Sequence, residues 1–349
     1  MPSHQHRGAR LLALPLALTL LGAACGGGTG ENADPDVAGG GSGGDGAGSG
    51  TVDVSGSSTV EPISSAVAQL FEEANPDAVV NVDGPGTGDG FQLFCDGETD
   101  ISDASRPISP EEIATCEENG VEFVELKIAF DGIAVLTNPA NDTIACLNFA
   151  DQYALVGPES QGFETWAAAQ PLAGELGSNT ELPELPLQIT APGAESGTYD
   201  SYVEIVLEDL AEEREQEAEP RPDYSSQGDD SAIIQATEAN EGAFGWVGFA
   251  FADRAGEGVK ILEIDGGDGC VAPSAETIAD GSYPVSRPLF IYVSAEAAES
   301  NPTVAAYVDF YLGEGIDQVG EVGYVALPED LLAETASAWE ERRTGAKEA

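Results

Sequence analysis

Four stretches combine hydroxyls, in three of them with glycines, with a change from strand-like to helix-like patterning: "SGSSTVEPISS" from residue 55, "PGTGDGFQLF" from 85, "SDASRPISPEE" from 102 and "ESGTYDSYVE" from 195. Each follows a β-rich run: "TVDV", "AVVNV", "TDIS" and "LPLQIT" in turn. A helix that starts at such a junction exposes unpaired backbone N–H groups and the positive end of its dipole. With short hydroxyls beside them, the chemistry on offer is anion binding. Ser58 or Thr59 is expected to cap a helix that has Pro62 in its first turn, and Ser109 with Glu112 fits a capping box. A single junction of this kind is an ordinary structural cap. Four of them, with Arg106 placed among acids at one, form a pattern that awaits an anion.

The elements that must position these residues alternate strand and helix, which is the order of an α/β fold. Open α/β sheets place ligands at the carboxyl ends of their strands, where all four junctions fall. The glycine loop "GTGDG" allows close backbone approach, but no Lys follows it and the GxGxxG spacing is absent, so nucleotide binding is not expected.

Composition narrows the function further. The chain has 349 residues, enough for two lobes. It carries 63 acids against 12 bases. No basic stripe exists for a phosphate backbone, so nucleic acid is not an expected partner. Acids on nearly every polar face, with Lys127, Lys260 and Lys347 as the lysines, suggest adaptation to high salt. Calcium is the alternative, but no DxDxDG loop occurs.

Residues 1–24 read as a secretion signal: Arg7 and Arg10 precede "LLALPLALTLLGAA", too short to span a membrane as a helix. Cys25 follows, as in a bacterial lipobox, although Gly22 sits where Leu is usual. Acylation of Cys25 would anchor the protein outside the cytoplasm; without it the protein would be secreted. The Gly-rich run that follows, to residue 50, is expected to be a flexible tether. Cleavage before Cys25 leaves 63 acids and 10 bases, a formal charge of −53, and no histidine. Histidine-based catalysis and a Ser-His-Asp triad are thereby excluded for the processed chain.

Cys95, Cys116, Cys146 and Cys270 then remain, and an even count in an exported chain without a CxxC clip favours disulfides over metal. The expected pairing is Cys95 with Cys116 and Cys146 with Cys270, although three connectivities are open. No metal or other cofactor is expected. The acidic run "EDLAEEREQEAEPRPD" reads as a solvated helix end and loop. "GAFGWVGFAF" reads as a tightly packed strand. Arg287 in "SRP" echoes Arg106, with a structural ion pair as the competing role.

"GSSTVEPI", "GTGDGFQLFCDGETDISDASRPI", "ESGTYD", "SSQGDDSAIIQA" and "YPVSRPLFIYV", in order from about residue 51 to 345, together resemble the PstS-type phosphate-binding proteins of bacterial phosphate ABC importers. The resemblance implies a type II periplasmic-binding-protein fold, two α/β lobes on a two-segment hinge that closes over the ligand. Residues 51–130 and 284–349 would form lobe I, and 131–283 lobe II. The protein would be a monomer that captures inorganic phosphate, hands it to an ABC permease and catalyses nothing.

Residue by residue, the resemblance assigns Ser58 and Thr59 to a first phosphate loop, Thr87 and Gly88 to a second, and Ser196, Gly197 and Thr198 to a third on the opposite lobe. Ser105 stands where many members carry an Asp that accepts the proton of hydrogen phosphate, and Pro192 where they carry a phosphate-pairing Arg. Arg106 is expected to replace that cation, and Asp103 or Asp229 the acceptor. The alternatives are a receptor for sulfate or molybdate, or a surface hydrolase, against which stands the missing GxSxG elbow.

Overall fold

The computed structural model describes residues 49–347 apart from residue 195; the expected leader, Cys25 and the tether up to residue 48 lie outside the described residues. The chain runs β1 (Ser49–Gly56), α1 (Glu61–Ala74), β2 (Asp77–Asp83), α2 (Thr87–Cys95), β3 (Ile101–Ala104), α3 (Pro110–Asn119) and the long β4 (Phe123–Thr137). Next come β5 (Cys146–Asn148), α4 (Phe149–Val156), α5 (Gln170–Glu175), β6 (Gln188–Ala191), α6 (Gly197–Tyr202), α7 (Glu208–Glu213), β7 (Ser225–Ser226), α8 (Asp230–Ala239), β8 (Ala243–Gly248) and α9 (Phe249–Ala255). Then follow β9 (Lys260–Ile261), β10 (Glu263–Asp265), β11 (Cys270–Val271), α10 (Ala275–Ala279), β12 (Ser286–Ser294), α11 (Ala295–Ser300), α12 (Pro302–Leu312), α13 (Gln318–Glu321), β13 (Val325–Ala326) and α14 (Glu329–Glu340). Since β1 begins at Ser49, the last two residues expected in the tether are strand instead.

One curled sheet has the order β2-β1-β3-β12-β4-β8-β6-β7, with β9 and β13 also paired to β4. The trio β2-β1-β3 is parallel, so the loops that leave its strands open on one edge. At the far end β6 is likewise parallel to β8 and β7. Between them, β12 runs antiparallel to both β3 and β4. Its register with β4 slips once, because Leu289 faces Ala129 while Phe290 faces Lys127, leaving Ile128 as an extra residue.

Two principal cores explain the two-lobed shape. Val52, Val54, Phe71, Ile101, Leu126, Ile291, Tyr307 and Trp339 belong to one. Ile133, Tyr153, Trp166, Tyr202, Phe244, Trp246 and Tyr283 belong to the other. β4 contributes to both, since Val124, Leu126, Ile128 and Ala129 enter the first core and Phe130, Ile133 and Val135 the second. β12 and its approach do the same through Leu289, Ile291 and Val293 on one side and Val285 on the other. β4 and β12 are therefore the two strands that join the cores.

The disulfides join Cys95 to Cys116 and Cys146 to Cys270, the pairing expected. The first ties α2 to α3, and the second ties β5 to β11, the two outer strands of a small separate sheet with β10 between them. "AFGWVG" forms the wholly buried β8, where a side chain at Gly245 would lie 2.4 Å from the Thr190 carbonyl, while the "FAF" that follows opens α9 rather than continuing the expected strand. The acidic run is less uniform than expected. Glu208 to Glu213 form α7, but Arg221 is buried and holds Asp223.

Candidate functional site

Backbone geometry brings three junctions to one place. Gly56 ends β1 at a φ of +152°, and a Cβ there would stand 2.0 Å from the Asp103 carbonyl, so only glycine lets β1 and β3 turn away side by side. The Ser57 N–H donates to that same carbonyl at 2.9 Å, and the Gly86 N–H donates to the Gly56 carbonyl at 2.8 Å. The loops after β1, β2 and β3 are thus tied together at the sheet edge.

The expected cap at Ser58 or Thr59 does not form. Val60 holds the N-cap position of α1 without a side-chain bond, and the Ser57 carbonyl accepts from both the Val60 and Glu61 amides. Both hydroxyls are left to reach across to the other lobe. Ser58 Oγ donates to Asp200 at 2.5 Å, and Thr59 Oγ1 lies 3.1 Å from Ser201 Oγ. Ser196 does cap α6, accepting from the Thr198 N–H at 3.2 Å. A Cβ on Gly197 would sit 2.8 Å from Thr59 Cα and 2.9 Å from the Ser58 carbonyl. The first and third expected loops therefore touch, and glycine permits it.

Thr87 and Ser105 form a second group. Their hydroxyls are 3.0 Å apart, and the Ser105 N–H donates to Thr87 Oγ1 at 3.2 Å. With Gly86, Gly88 and Arg106 they line one wall of a cleft of about 460 Å³, whose other wall includes Glu204 and Glu208. Glu204 lies on the π-helical turn Val203–Leu207 that links α6 to α7; such turns are frequent at functional sites.

Arg106 lines this cleft but is half-exposed, and both its Nη atoms donate to Glu112 at 2.8 Å. The Glu112 carboxylate also accepts from the Ser109 N–H, completing the expected capping box. The cation met at the interlobe contact is Arg287. Its Nη2 donates to Ser201 Oγ at 2.7 Å and to Thr59 Oγ1 at 3.1 Å, and its Nη1 donates to Glu204. It is 13% exposed, and its Nε lies 3.8 Å from Oδ2 of the buried Asp131. Burial raises the Asp131 carboxyl pKa, against the opposing pull of Arg287 and a hydrogen bond from Ser201.

Neither expected substitute for the missing proton acceptor stands in the cleft. Asp229 caps α8, accepting from the Ser231 N–H at 2.8 Å. Asp103 is buried beneath α1, where Ser64 Oγ donates to it at 2.9 Å and Tyr311 backs that hydroxyl. Burial pushes its pKa up to about 7. At position 192, Pro offers only its carbonyl, which accepts from Tyr224 Oη at 2.7 Å. Sequence reading passed over Asp131, Asp200, Ser201 and Glu204, and left Arg287 undecided. The "SRP" repeat was the one signal that could have raised Arg287.

A PBP superfamily domain matches residues 41–314. Protein SphX of Synechocystis sp. (strain ATCC 27184 / PCC 6803 / Kazusa) is 37% identical over 282 residues, covering 80% of this chain and 79% of that protein. The phosphate-binding protein PstS of Staphylococcus haemolyticus is 32% identical over 277 residues, covering 78% and 80%. Among solved structures, a possible phosphate binding protein from Planctomyces limnophilus DSM 3776 matches with a TM-score of 0.75 at 33% identity, over 84% of this chain and 99% of that one. PstS from Borrelia burgdorferi shares the fold, with a TM-score of 0.57 at 23% identity, over 80% and 99%.

Proposed function

The chain belongs to the PBP superfamily, and from that premise we propose that it is an extracytoplasmic receptor which captures inorganic phosphate between its lobes and delivers it to an ABC permease. The observation that carries this reading is the convergence of Ser58 and Thr59 with Gly197, Ser201 and Arg287 across the interlobe contact. The relatives named PstS, a phosphate-binding protein, support the ligand. Residues 51–130 with 284–349 and residues 131–283 act as the two closing lobes.

The seat uses the hydroxyls and amides of Ser58, Thr59, Thr87, Gly88, Ser105, Ser196, Gly197 and Thr198, with Arg287 as its inner cation and Arg106 at its rim. Pro192 removes the cation that the family resemblance implies, and Arg287 restores it from a hinge strand. The site binds and releases without chemistry. Among the described residues no helix is long and apolar enough to cross a membrane, and acylation of Cys25 would supply the anchor.

Energetics permit this role. Desolvating a small dianion costs several kcal/mol after relaxation. About eight to ten donors, at roughly 1.5 to 3 kcal/mol for each charge-assisted bond, outweigh that cost and leave about −8 kcal/mol, or micromolar affinity. The formal charge of −51 opposes capture little, because at physiological salt the Debye length is about 8 Å.

Calorimetry of the purified protein with phosphate, sulfate and molybdate tests the proposal, together with a colorimetric phosphate assay on the denatured protein. Phosphate is expected to bind most tightly, at micromolar Kd or below. A preference for sulfate or molybdate would reassign the ligand. Turnover of a phosphate ester, lost in Ser58→Ala, would instead mark a hydrolase.

A further inference from the structure

We propose that the protein carries a second ligand site, separate from the anion seat, in the cavity between β4, β12 and α14, and that this site takes a free α-amino acid with an apolar side chain. The cavity holds about 350 Å³ and shares no lining residue with the cleft around Arg106. Its volume is within the range of small-molecule sites. Glu125 and Lys127, two residues apart on β4, both line it, and Phe290 on β12 pairs with Lys127. α14 adds Leu331 and Glu334, one turn apart, and Lys347 arrives from the end of the chain.

The placement of charge marks this cavity as a site. The sequence has three lysines against 63 acids, yet two of the three, Lys127 and Lys347, meet here. Lys347 Nζ is engaged with Glu334 at 3.2 Å. Lys127 Nζ makes no hydrogen bond or ion pair among the described residues; the rings of Phe130 and Phe290 lie 5.4 and 5.7 Å from it. Burial, and then the Lys347 ammonium, lower the Lys127 pKa, as for a cation short of compensation. Glu125 is 7% exposed and only half provided for. Its Oε2 accepts from Tyr292 Oη at 2.9 Å, whereas among the described residues Oε1 has only the Lys347 backbone N–H, at 3.4 Å. Burial raises its pKa in turn.

Lys127 and Glu125 form no ion pair with each other, so each keeps capacity that a zwitterion fills. The ligand's carboxylate accepts from Lys127 Nζ, its ammonium donates to Glu125 Oε1, and its side chain lies on Phe290 and Leu331. A plain anion would meet two carboxylates, and a plain cation two ammonium groups. Two charges of each sign make a neutral cavity, suited to a neutral ligand whose own charges stand apart.

Calorimetry of the full chain tests this with leucine, valine, proline and phenylalanine, followed by the amide and the N-acetyl derivative of the tightest binder, which lack the carboxylate and the ammonium in turn. At least one amino acid is expected to bind at about millimolar Kd or tighter, and both derivatives at least tenfold more weakly. Lys127→Met keeps an apolar stem and removes the charge; it should weaken the amino acid at least tenfold while phosphate affinity changes less than twofold. Leu331→Trp, which fills the cavity from α14, should do the same and serves if Lys127→Met does not fold. Wild type that binds none of the four, a derivative within tenfold of its parent, or a folded variant weakened less than tenfold overturns the inference. A phosphate affinity that falls together with that for the amino acid overturns the separation of the two sites. The amino-acid titrations decide the matter whether or not the receptor reading holds.

Discussion

Arg287→Gln asks whether the buried cation of the hinge is the one that holds the ligand. Gln keeps a planar polar head at similar reach but removes the charge. In the structure the guanidinium donates to Thr59, Ser201 and Glu204 and is 13% exposed, so it acts where water screens little. One or two charge-assisted bonds to a dianion at roughly 1.5 to 3 kcal/mol each give about 2 to 4 kcal/mol after partial compensation by the amide. Against this stands the release of Glu204, whose half-exposed pairing is worth no more than about 1 kcal/mol. The net loss is then about 1 to 3 kcal/mol, a Kd weakened roughly 5- to 150-fold. Calorimetry with phosphate measures it, and circular dichroism establishes that the variant folds. Arg106→Ala is the internal comparison: its guanidinium is half-exposed and already bidentate on Glu112, so its loss should cost less. A folded Arg287→Gln protein whose Kd changes less than threefold, or one that binds better than Arg106→Ala, refutes the assignment and returns the role of cation to Arg106.

Gly197→Ala places a methyl group 2.8 Å from Thr59 Cα and should hold the lobes apart, weakening phosphate binding at least tenfold while thermal stability without ligand changes little; unchanged affinity would mean that this approach is not part of the ligand-bound form. Asp103, with its folded pKa raised to about 7, stabilises the fold while protonated and loses that contribution as pH climbs from about 4 through 7. Three pKa units correspond to about 4 kcal/mol by pH 8, so urea unfolding of Asp103→Asn should be less sensitive to pH between 5 and 8 than wild type; parallel curves would contradict the burial argument. Opening the Cys146–Cys270 link as a double Ser variant releases a sequence separation of 124 residues, and the chain-entropy relation gives about 5 kcal/mol, against about 3 kcal/mol for Cys95–Cys116 at a separation of 21. Urea midpoints of the two double variants should fall in that order.

Local physics was legible and cross-chain register was not. Ser109 caps its helix as read, because a cap depends on residues within one turn. Ser58 and Thr59 do not cap, since the Ser57 carbonyl takes the first amides of α1 and their hydroxyls meet partners more than a hundred residues away. Arg106 was visible as a cation, but the capping-box acid six residues later claims both its Nη atoms, a contact the sequence did contain. The cysteine pairing and the alternation of strand and helix carried through to the fold. Asp131 and Arg287 are neighbours only because β4 and β12 pair in one register, and nothing near either residue announces that alignment.

The extra residue at Ile128 sits in the ribbon that joins the lobes, just where the two strands pass from one core to the other. A bulge sharpens twist and interrupts the ladder locally, so this is where the ribbon resists torsion least. Swivelling there would confine the strain to a few peptide units at the margin of the first core. Removing that single residue would restore an unbroken ladder between β4 and β12 and delete a buried side chain of the first core, at a distance in sequence from every group placed in the anion seat.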